Sequence, residues 1–231
     1  MRILDLYCCA GGAARGYAMA GYSCVGVDLD EYEDYPFPGV AASALDVLDT
    51  LLDGGSVLGH TLADFDAAHS SPPCQKWAPL MSCRPGGRDS YLDLIAPTRE
   101  RLIATGLPYV IENVPQAPLK DPVILCGTQF GKRFKLHRAF ETNWPLPQPE
   151  CDHSIRPFNP ENNEGRKQIR AAFPEGTSVW ASFCAEKGLT GPGGMRYNGD
   201  YKKQAREAIS PYFTEFIGRS LAAHLLTGMG I

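Results

Sequence analysis

A chain of 231 residues with 44% hydrophobic residues carries enough apolar side chain for one α/β domain with a small appended lobe. Its formal net charge of −4 argues against a uniformly basic nucleic-acid coat but is compatible with a local basic face. The sequence shows neither an N-terminal apolar signal region nor a run long enough to span a bilayer, which points to a cytoplasmic protein whose eight cysteines are thiols.

Residues 2–7 read as a buried strand, and Cys8 to Gly12 as a tight turn. Ala13 to Ala20 read as a helix ending at Gly21, and Tyr22 to Val27 as a second strand with Asp28 at its carboxyl end. Such a strand-turn-helix-strand unit suits an adenine nucleoside, because the turn lets backbone approach the ligand and the carboxylate takes the ribose hydroxyls. The sequence holds no G-x-x-x-x-G-K-[ST] loop, which disfavours an NTPase. Residues 41–52 read as a short strand or loop followed by a helix, with Asp46 at the junction. Leu62 to His69 read as a strand running into the stretch Ser71-Pro72-Pro73-Cys74-Gln75.

Further along, Ser90 to Thr105 read as a helix capped by Gly106, and Tyr109 to Val114 as a strand ending in Glu112-Asn113. Short strands follow at 123–125 and 138–141. Proline, glycine, asparagine and charge dominate residues 143–206, which read as a loop-rich segment, and Pro211 to Leu226 form a closing helix. The expected organisation is a core over 1–142, a loop-rich segment over 143–206 and a C-terminal helix over 207–231 packing back on the core. Strands alternating with helices predict an α/β fold with a doubly wound, mostly parallel sheet. Ligands of such sheets sit beyond the carboxyl ends of the strands, where Asp5, Tyr7, Asp28, Asp46, Cys74 and Glu112 would share one edge.

The Pro-Pro-Cys stretch marks a candidate nucleophile. Two prolines fix their own φ and restrict the residue before each, so Cys74 sits on a stiff backbone at a strand end. Cys151-Asp-His153 with Cys184 or Cys126 offers metal-ligand types, but the spacing matches no standard zinc pair and no metal is expected. Basic clusters occur at Lys132, Arg133, Lys135 and Arg138, at Arg166, Lys167 and Arg170, and at Lys202, Lys203 and Arg206.

Taken together these stretches resemble the DNA cytosine-5 methyltransferase family, in particular its short phage-type members. Asp5-Leu-Tyr-Cys-Cys-Ala-Gly-Gly12 resembles the family's first motif, D-L-F-x-G-x-G-G, and Ser71-Pro-Pro-Cys-Gln75 its G-P-P-C-Q motif. Glu112-Asn-Val114 matches E-N-V, and Arg138 resembles the second arginine of Q-x-R-x-R. Residues 207–218 are similar to the closing motif, and the motifs run in family order from residue 4 to 218.

The resemblance implies a Rossmann-like methyltransferase sheet with a short DNA-facing segment. It also implies covalent catalysis on cytosine in DNA, in the cytoplasm of a bacterium or phage-infected host, by a monomer needing no membrane. Cytosine C5 is a poor nucleophile, and a thiolate added at C6 makes it enamine-like. Cys74 is then the nucleophile, Glu112 the partner of the cytosine N3/N4 edge and Arg138 the donor to O2, with Asn113 bracing the loop. The implied cofactor is S-adenosylmethionine, held by Asp5, Tyr7, Cys8, Cys9, Ala10, Gly11, Gly12, Asp28, Leu29, Asp46 and Pro73. Tyr7 would stack on adenine, Asp28 hold the ribose diol and Asp46 the adenine amino group. A helix N-terminal acid is the other reading of Asp46. The target base must leave the duplex stack, and the basic clusters with segment 143–206 form the expected DNA face. Trp77, Trp144, Trp180 and Tyr197 are the aromatic side chains available to stack or wedge there.

The chain departs from the family pattern at four places. Cys9 replaces a motif glycine, Leu136 stands at the first arginine of Q-x-R-x-R, Glu207 replaces the closing-motif asparagine, and 143–206 is short for a recognition domain. An enamine-like C5 attacks any activated one-carbon unit, so methylenetetrahydrofolate is the alternative donor, giving hydroxymethylcytosine with the same Cys/Glu/Arg set. A catalytically inactive DNA-binding or regulatory homologue is the reading of another class.

Overall fold

The structure is a computed structural model that describes residues 1–31, 35–78, 90–154, 157–173, 175, 178–189 and 208–228. Glu207, Tyr197 and the cluster Lys202, Lys203 and Arg206 lie outside the described residues.

Its strands are β1 (Arg2–Leu6), β2 (Ser23–Asp28), β3 (Gly39–Ala41), β4 (Ala67–Ser70), β5 (Tyr109–Asn113), β6 (Val123–Cys126) and β7 (His137–Thr142). The helices are α1 (Gly12–Met19), α2 (Ala44–Leu52), α3 (Ile95–Thr105), α4 (Asn163–Ala172), α5 (Val179–Glu186) and α6 (Pro211–Gly228). All seven strands form one mixed sheet, in the order β3-β2-β1-β4-β5-β7-β6. The pairings β1–β2, β1–β4, β2–β3 and β4–β5 are parallel. Pairings β5–β7 and β6–β7 are antiparallel.

Strand β1 shows why two layers of helix are needed. Ile3 to Leu6 are all buried, and alternate side chains point to opposite faces. Ile3 joins the core shared with Tyr17 of α1 and Phe213, Ile217 and Leu221 of α6. Leu4 and Leu6 join the core shared with Val47, Leu48 and Leu51 of α2 and Leu102 of α3. The first core is tied across the chain by two polar bonds: Thr214 Oγ1 donates to Ala13 O at 2.8 Å and the Tyr22 hydroxyl to Gly218 O at 3.1 Å.

The structure corrects several expected boundaries. The helix expected from Ser90 begins at Ile95. Pro97 lies in its first turn, where a missing N–H is tolerated, but its ring opposes helix on the N-terminal side. Of the strand expected over 62–69, Leu62–Asp64 is a 3₁₀ turn closed by a reciprocal Thr61–Asp64 cap, and only Ala67–Ser70 pairs. Segment 143–206 holds two helices, α4 and α5, where loop was expected. The side chain of Asn162 caps α4 by accepting from Gly165 N at 2.7 Å. Trp144, Phe158, Ile169, Phe183 and Leu189 from this segment enter the same core as α1 and α6.

Candidate active site

The Pro-Pro-Cys stretch leaves β4 directly. Ser71 N donates to Leu6 O at 3.2 Å, which carries the chain past the end of the neighbouring strand β1. Asn113, fully buried at the end of β5, donates from Nδ2 to Pro72 O at 2.9 Å and accepts from Val114 N at 2.9 Å. The next strand thus holds the loop at the residue before Pro73-Cys74. Trp77 N and Ala78 N both donate to Cys74 O at 3.0 Å, so a turn starts at the cysteine itself. Cys74 is half-buried and, with Trp77, packs against the core under α2 and α3.

Glu112 is buried one residue before the end of β5. The antiparallel start of β7 brings Arg138 alongside, and its Nε lies 3.0 Å from Glu112 Oε1. Burial pushes the Glu112 carboxyl up from its ordinary value, against the lowering effects of Arg138, a hydrogen bond from Ser71 and the positive end of Lys187. Behind Ser71 stands His69, fully buried, with Nε2 2.9 Å from Ser71 Oγ and Nδ1 3.0 Å from the Tyr17 hydroxyl. Burial drops the His69 pKa to about 3, so its ring is neutral at physiological pH. Since Ser71 gives its proton to Glu112, Nε2–H of His69 donates to Ser71 and Nδ1 accepts from Tyr17. A continuous, largely buried chain therefore runs Tyr17, His69, Ser71, Glu112, Arg138.

Lys187, just past α5, is also fully buried, and Nζ donates to Ala208 O at 2.8 Å. Burial, then the neighbouring Arg138 charge, lowers its pKa to about 7. Neither His69 nor Lys187 stands out in the sequence. His69 had the weak signal of a polar residue at the end of an apolar strand, while Lys187 lies in a segment with many other lysines and arginines.

The turn after β1 is built on strained backbone. Tyr7 and Cys9 have φ of 57° and 44°, and Gly11 has φ 80°. Cys9 N donates to Asp28 Oδ2 at 2.9 Å, so the carboxylate at the end of β2 closes this turn. The Tyr7 hydroxyl bonds Thr98 Oγ1 of α3 at 2.9 Å. Asp5 is fully buried, takes the Tyr35 hydroxyl on Oδ2 at 3.0 Å, and has no partner on Oδ1. Burial raises its pKa to about 7. Burial likewise pushes the Cys8 thiol up. A Cβ on Gly11 would lie 2.4 Å from Pro36 Cδ and 2.9 Å from Tyr35 Cδ2, so Tyr35-Pro36 packs directly on the glycine turn.

A cavity of about 180 Å³ opens between this turn and β3, lined by Cys8, Asp28, Tyr35, Phe37 and Val40 among others. Of the expected cofactor residues, Cys8 and Asp28 line it. Asp5, Tyr7, Cys9, Ala10, Gly11 and Gly12 belong to the adjoining strand and turn. Leu29 is exposed, and Pro73 lies in the Cys74 loop. Asp46 is exposed in the first turn of α2, where Ser43 caps the helix by accepting from Asp46 N at 3.3 Å.

The first two basic clusters are partly engaged within the fold, the second through Arg166 Nε, which donates to Pro160 O at 2.8 Å. Lys132 Nζ sits 4.3 Å from the Tyr212 ring centre and the Arg133 guanidinium 4.2 Å from that of Phe158. Trp144 is buried, stacks on His224 and donates to Ser220 Oγ, which makes it a packing residue. Among the described residues no helix is long and apolar enough to cross a membrane, and the described cysteines are thiols.

No protein-family model matches the sequence, and a search of curated proteins finds no match. Solved structures do resemble it. A triple mutant of DNMT2 from Spodoptera frugiperda aligns over 97% of this chain and 99% of that one, at 13% identity and a TM-score of 0.52. The S. pombe Dnmt2 methyltransferase aligns over the same shares at 11% identity and a TM-score of 0.54. A prophage-encoded E. coli protein described as a DNA modification methyltransferase aligns over 76% of this chain at 15% identity and a TM-score of 0.46, and the chain spans 56% of its length. The protein therefore has the α/β fold of the two Dnmt2 structures, the fold class that the motif resemblance implies.

Proposed function

We propose that this protein is a DNA cytosine C5 methyltransferase that works through a covalent bond between Cys74 and C6 of the base. The observation that carries the reading is the buried Glu112–Arg138 pair, one residue from the Asn113 side chain that holds the Pro-Pro-Cys loop. A carboxyl and a guanidinium side by side match the N3/N4 edge and O2 of cytosine. The likeness to Dnmt2 structures supports the fold that such a site uses.

In this mechanism Cys74 gives up its proton and its sulfur bonds to C6, moving the C5–C6 π electrons to C5. Glu112, whose raised pKa favours the protonated form, donates toward N3 and balances the negative charge of the adduct. Arg138 donates to O2. Once C5 carries its new carbon, a base takes the C5 proton, the C–H electron pair restores the C5–C6 double bond, and Cys74 leaves as thiolate.

S-adenosylmethionine would supply the electrophilic methyl group. The donor set suits its nucleoside end: Asp28 offers carboxylate oxygens and Phe37 an aromatic face, both on one cavity, and the unpartnered Asp5 Oδ1 is a further acceptor nearby. One observation favours the second reading, a folate-derived methylene as the carbon source. Tyr35-Pro36 packs on Gly11, where the methionine end would approach the turn.

The test is incubation of wild type and Cys74→Ala with DNA and each donor, followed by nucleoside mass spectrometry. We expect 5-methylcytosine from S-adenosylmethionine, a covalent complex with 5-fluorocytosine DNA, and loss of both in Cys74→Ala with unchanged circular dichroism. Hydroxymethylcytosine that requires folate would replace the donor assignment. Undiminished product from Cys74→Ala would overturn the mechanism.

A further inference from the structure

We propose that Cys126, His137, Cys151 and His153 form a structural zinc site at the edge of the sheet. Each contributes one ligand atom, and the four atoms all lie within 4.8 Å of one another. Cys126 Sγ is 3.9 Å from His153 Nε2, and Cys151 Sγ is 3.7 Å from His137 Nε2. Four ligands set tetrahedrally around zinc at ordinary Zn–S and Zn–N lengths stand about 3.3–3.8 Å apart. Small side-chain rotations close the difference.

The fold brings these residues together from three places. Cys126 ends β6 and His137 begins β7, and the two are register partners in that antiparallel pair. Cys151 and His153 arrive on the loop after β7, which is laid along β6 by other bonds. Gln148 accepts from Ile124 N at 2.8 Å and returns Nε2 to Ile124 O at 2.9 Å. Gln129 accepts from Cys126 N at 2.8 Å and donates to Pro149 O at 2.7 Å and to Cys151 Sγ at 3.5 Å. The quartet is thus positioned by hydrogen bonds that do not need the ion.

Two thiols and two imidazoles select zinc over hard cations, and four protein ligands leave no open position, so the site is structural. Cys151 and His153 are exposed, which gives the ion a way in. The sequence offers three of the four, Cys126, Cys151 and His153, at a spacing that matches no standard zinc pair, and leaves out His137, which belongs to neither cysteine's neighbourhood. Cys184, the other cysteine weighed with Cys151 and His153, is instead buried in the core around α6. The site also bears on chemistry: Arg138 Nη1 donates to His137 O at 3.3 Å, so an ion on His137 would steady the backbone that carries Arg138. That consequence rests on the proposed role of Arg138, whereas the metal site itself does not.

The experiment is metal analysis of the untagged full chain, purified under reducing conditions without chelator from zinc-supplemented medium. We expect one zinc per chain in wild type. X-ray absorption should show two sulfur and two nitrogen ligands, and cobalt(II) substitution should give tetrahedral d–d bands with a thiolate charge-transfer band. The exposed-residue double variant Cys151→Ser/His153→Ala should lose about tenfold or more of the bound zinc while keeping its circular dichroism. Should the double variant not fold, the ligand count in wild type decides. A folded wild type that carries neither zinc nor tetrahedral cobalt, a ligand count other than two sulfur and two nitrogen, a Cys126–Cys151 disulfide under these conditions, or a folded double variant with full zinc would each overturn the proposal. None of these readouts uses DNA or a methyl donor, so failure here is distinct from failure of the proposed activity.

Discussion

Arg138 Nε lies 3.0 Å from Glu112 Oε1, and both side chains are largely withdrawn from water. A pair of this kind leaves a costly residue behind when one partner goes. Arg138→Ala should push the already raised Glu112 carboxyl further up, because the largest lowering influence on it is removed. Glu112→Gln keeps shape and hydrogen-bonding capacity but cannot titrate. Through the proposed chemistry, product formation should fall by roughly 10²–10⁴ in Glu112→Gln, while the melting temperature drops but the protein stays folded, because the Arg138 charge keeps a hydrogen-bond acceptor and loses only its charged partner. A nucleoside assay beside a thermal melt checks both. Full turnover in Glu112→Gln would remove the carboxyl from the mechanism.

Asp5 and His69 should give opposing pH dependences. The Asp5 pKa rises from 3.8 to about 7 on folding, so its contribution is fully present below the unfolded value and is lost as pH rises toward 7. The His69 pKa falls from 6.5 to about 3, so its contribution is present above the unfolded value and is lost as pH falls toward 3. Between about pH 4 and 6.5 the two slopes oppose each other, each near 1.4 kcal/mol per pH unit at most. Asp5→Asn should make stability climb with pH across this window, and His69→Gln should make it decline. Urea midpoints at four or five pH values read the slopes, and parallel profiles for the two variants would contradict the assignment.

Lys187 offers a separate window. Its pKa falls from 10.5 to about 7 on burial, so its stability contribution is present above the unfolded value and is lost as pH falls toward 7. Lys187→Met removes an ammonium that must be desolvated and keeps much of the aliphatic stem. The variant should be more stable than wild type at pH 7, by about 1–3 kcal/mol, and the advantage should vanish toward pH 10. Denaturant melts at the two pH values measure it. An equal stability difference at both would show that packing, not charge, dominates at this position.

Much of the sheet is legible in the sequence because β1, β2 and β5 are short apolar runs bounded by turn residues, and buried strands announce themselves that way. Cys74, Glu112 and Asn113 stood out for another reason, since proline restriction and strand-end polarity are local signals, whereas Arg138 was marked by the motif resemblance. The antiparallel entry of β7, which sets Arg138 against Glu112, is a matter of topology that no local pattern carries. The same is true of Tyr35. Its hydroxyl reaches Asp5 and its ring covers Gly11 from a loop with no periodicity of its own. Helix α4 was hidden by asparagine, glycine and charge, and α5, only eight residues long, by the loop-like composition on either side of it; each buries only two or three residues. His69 and Lys187 become visible only when burial is known, because a histidine or lysine in sequence says nothing about the dielectric around it.

Glu141 provides a test of the scaffold beneath Arg138, three residues along the same strand. It accepts from Arg99 Nε and Nη2, both at 2.7 Å, and from Lys120 N at 2.7 Å, while Arg99 also donates to Pro118 O at 2.9 Å. This two-pronged pair fastens α3 to β7 and is nearly closed to water. Glu141→Ala leaves the Arg99 charge buried and unpaired, and should cost about 3–5 kcal/mol. The double variant Arg99→Met/Glu141→Leu removes both charges and fills much of the space, so it should cost clearly less than Glu141→Ala alone. A double-mutant cycle by chemical denaturation resolves this. If the double variant is at least as unstable as the sum of the singles, the pair is not coupled, and the attachment of α3 to β7 has to come from apolar packing around Leu102 and Tyr109.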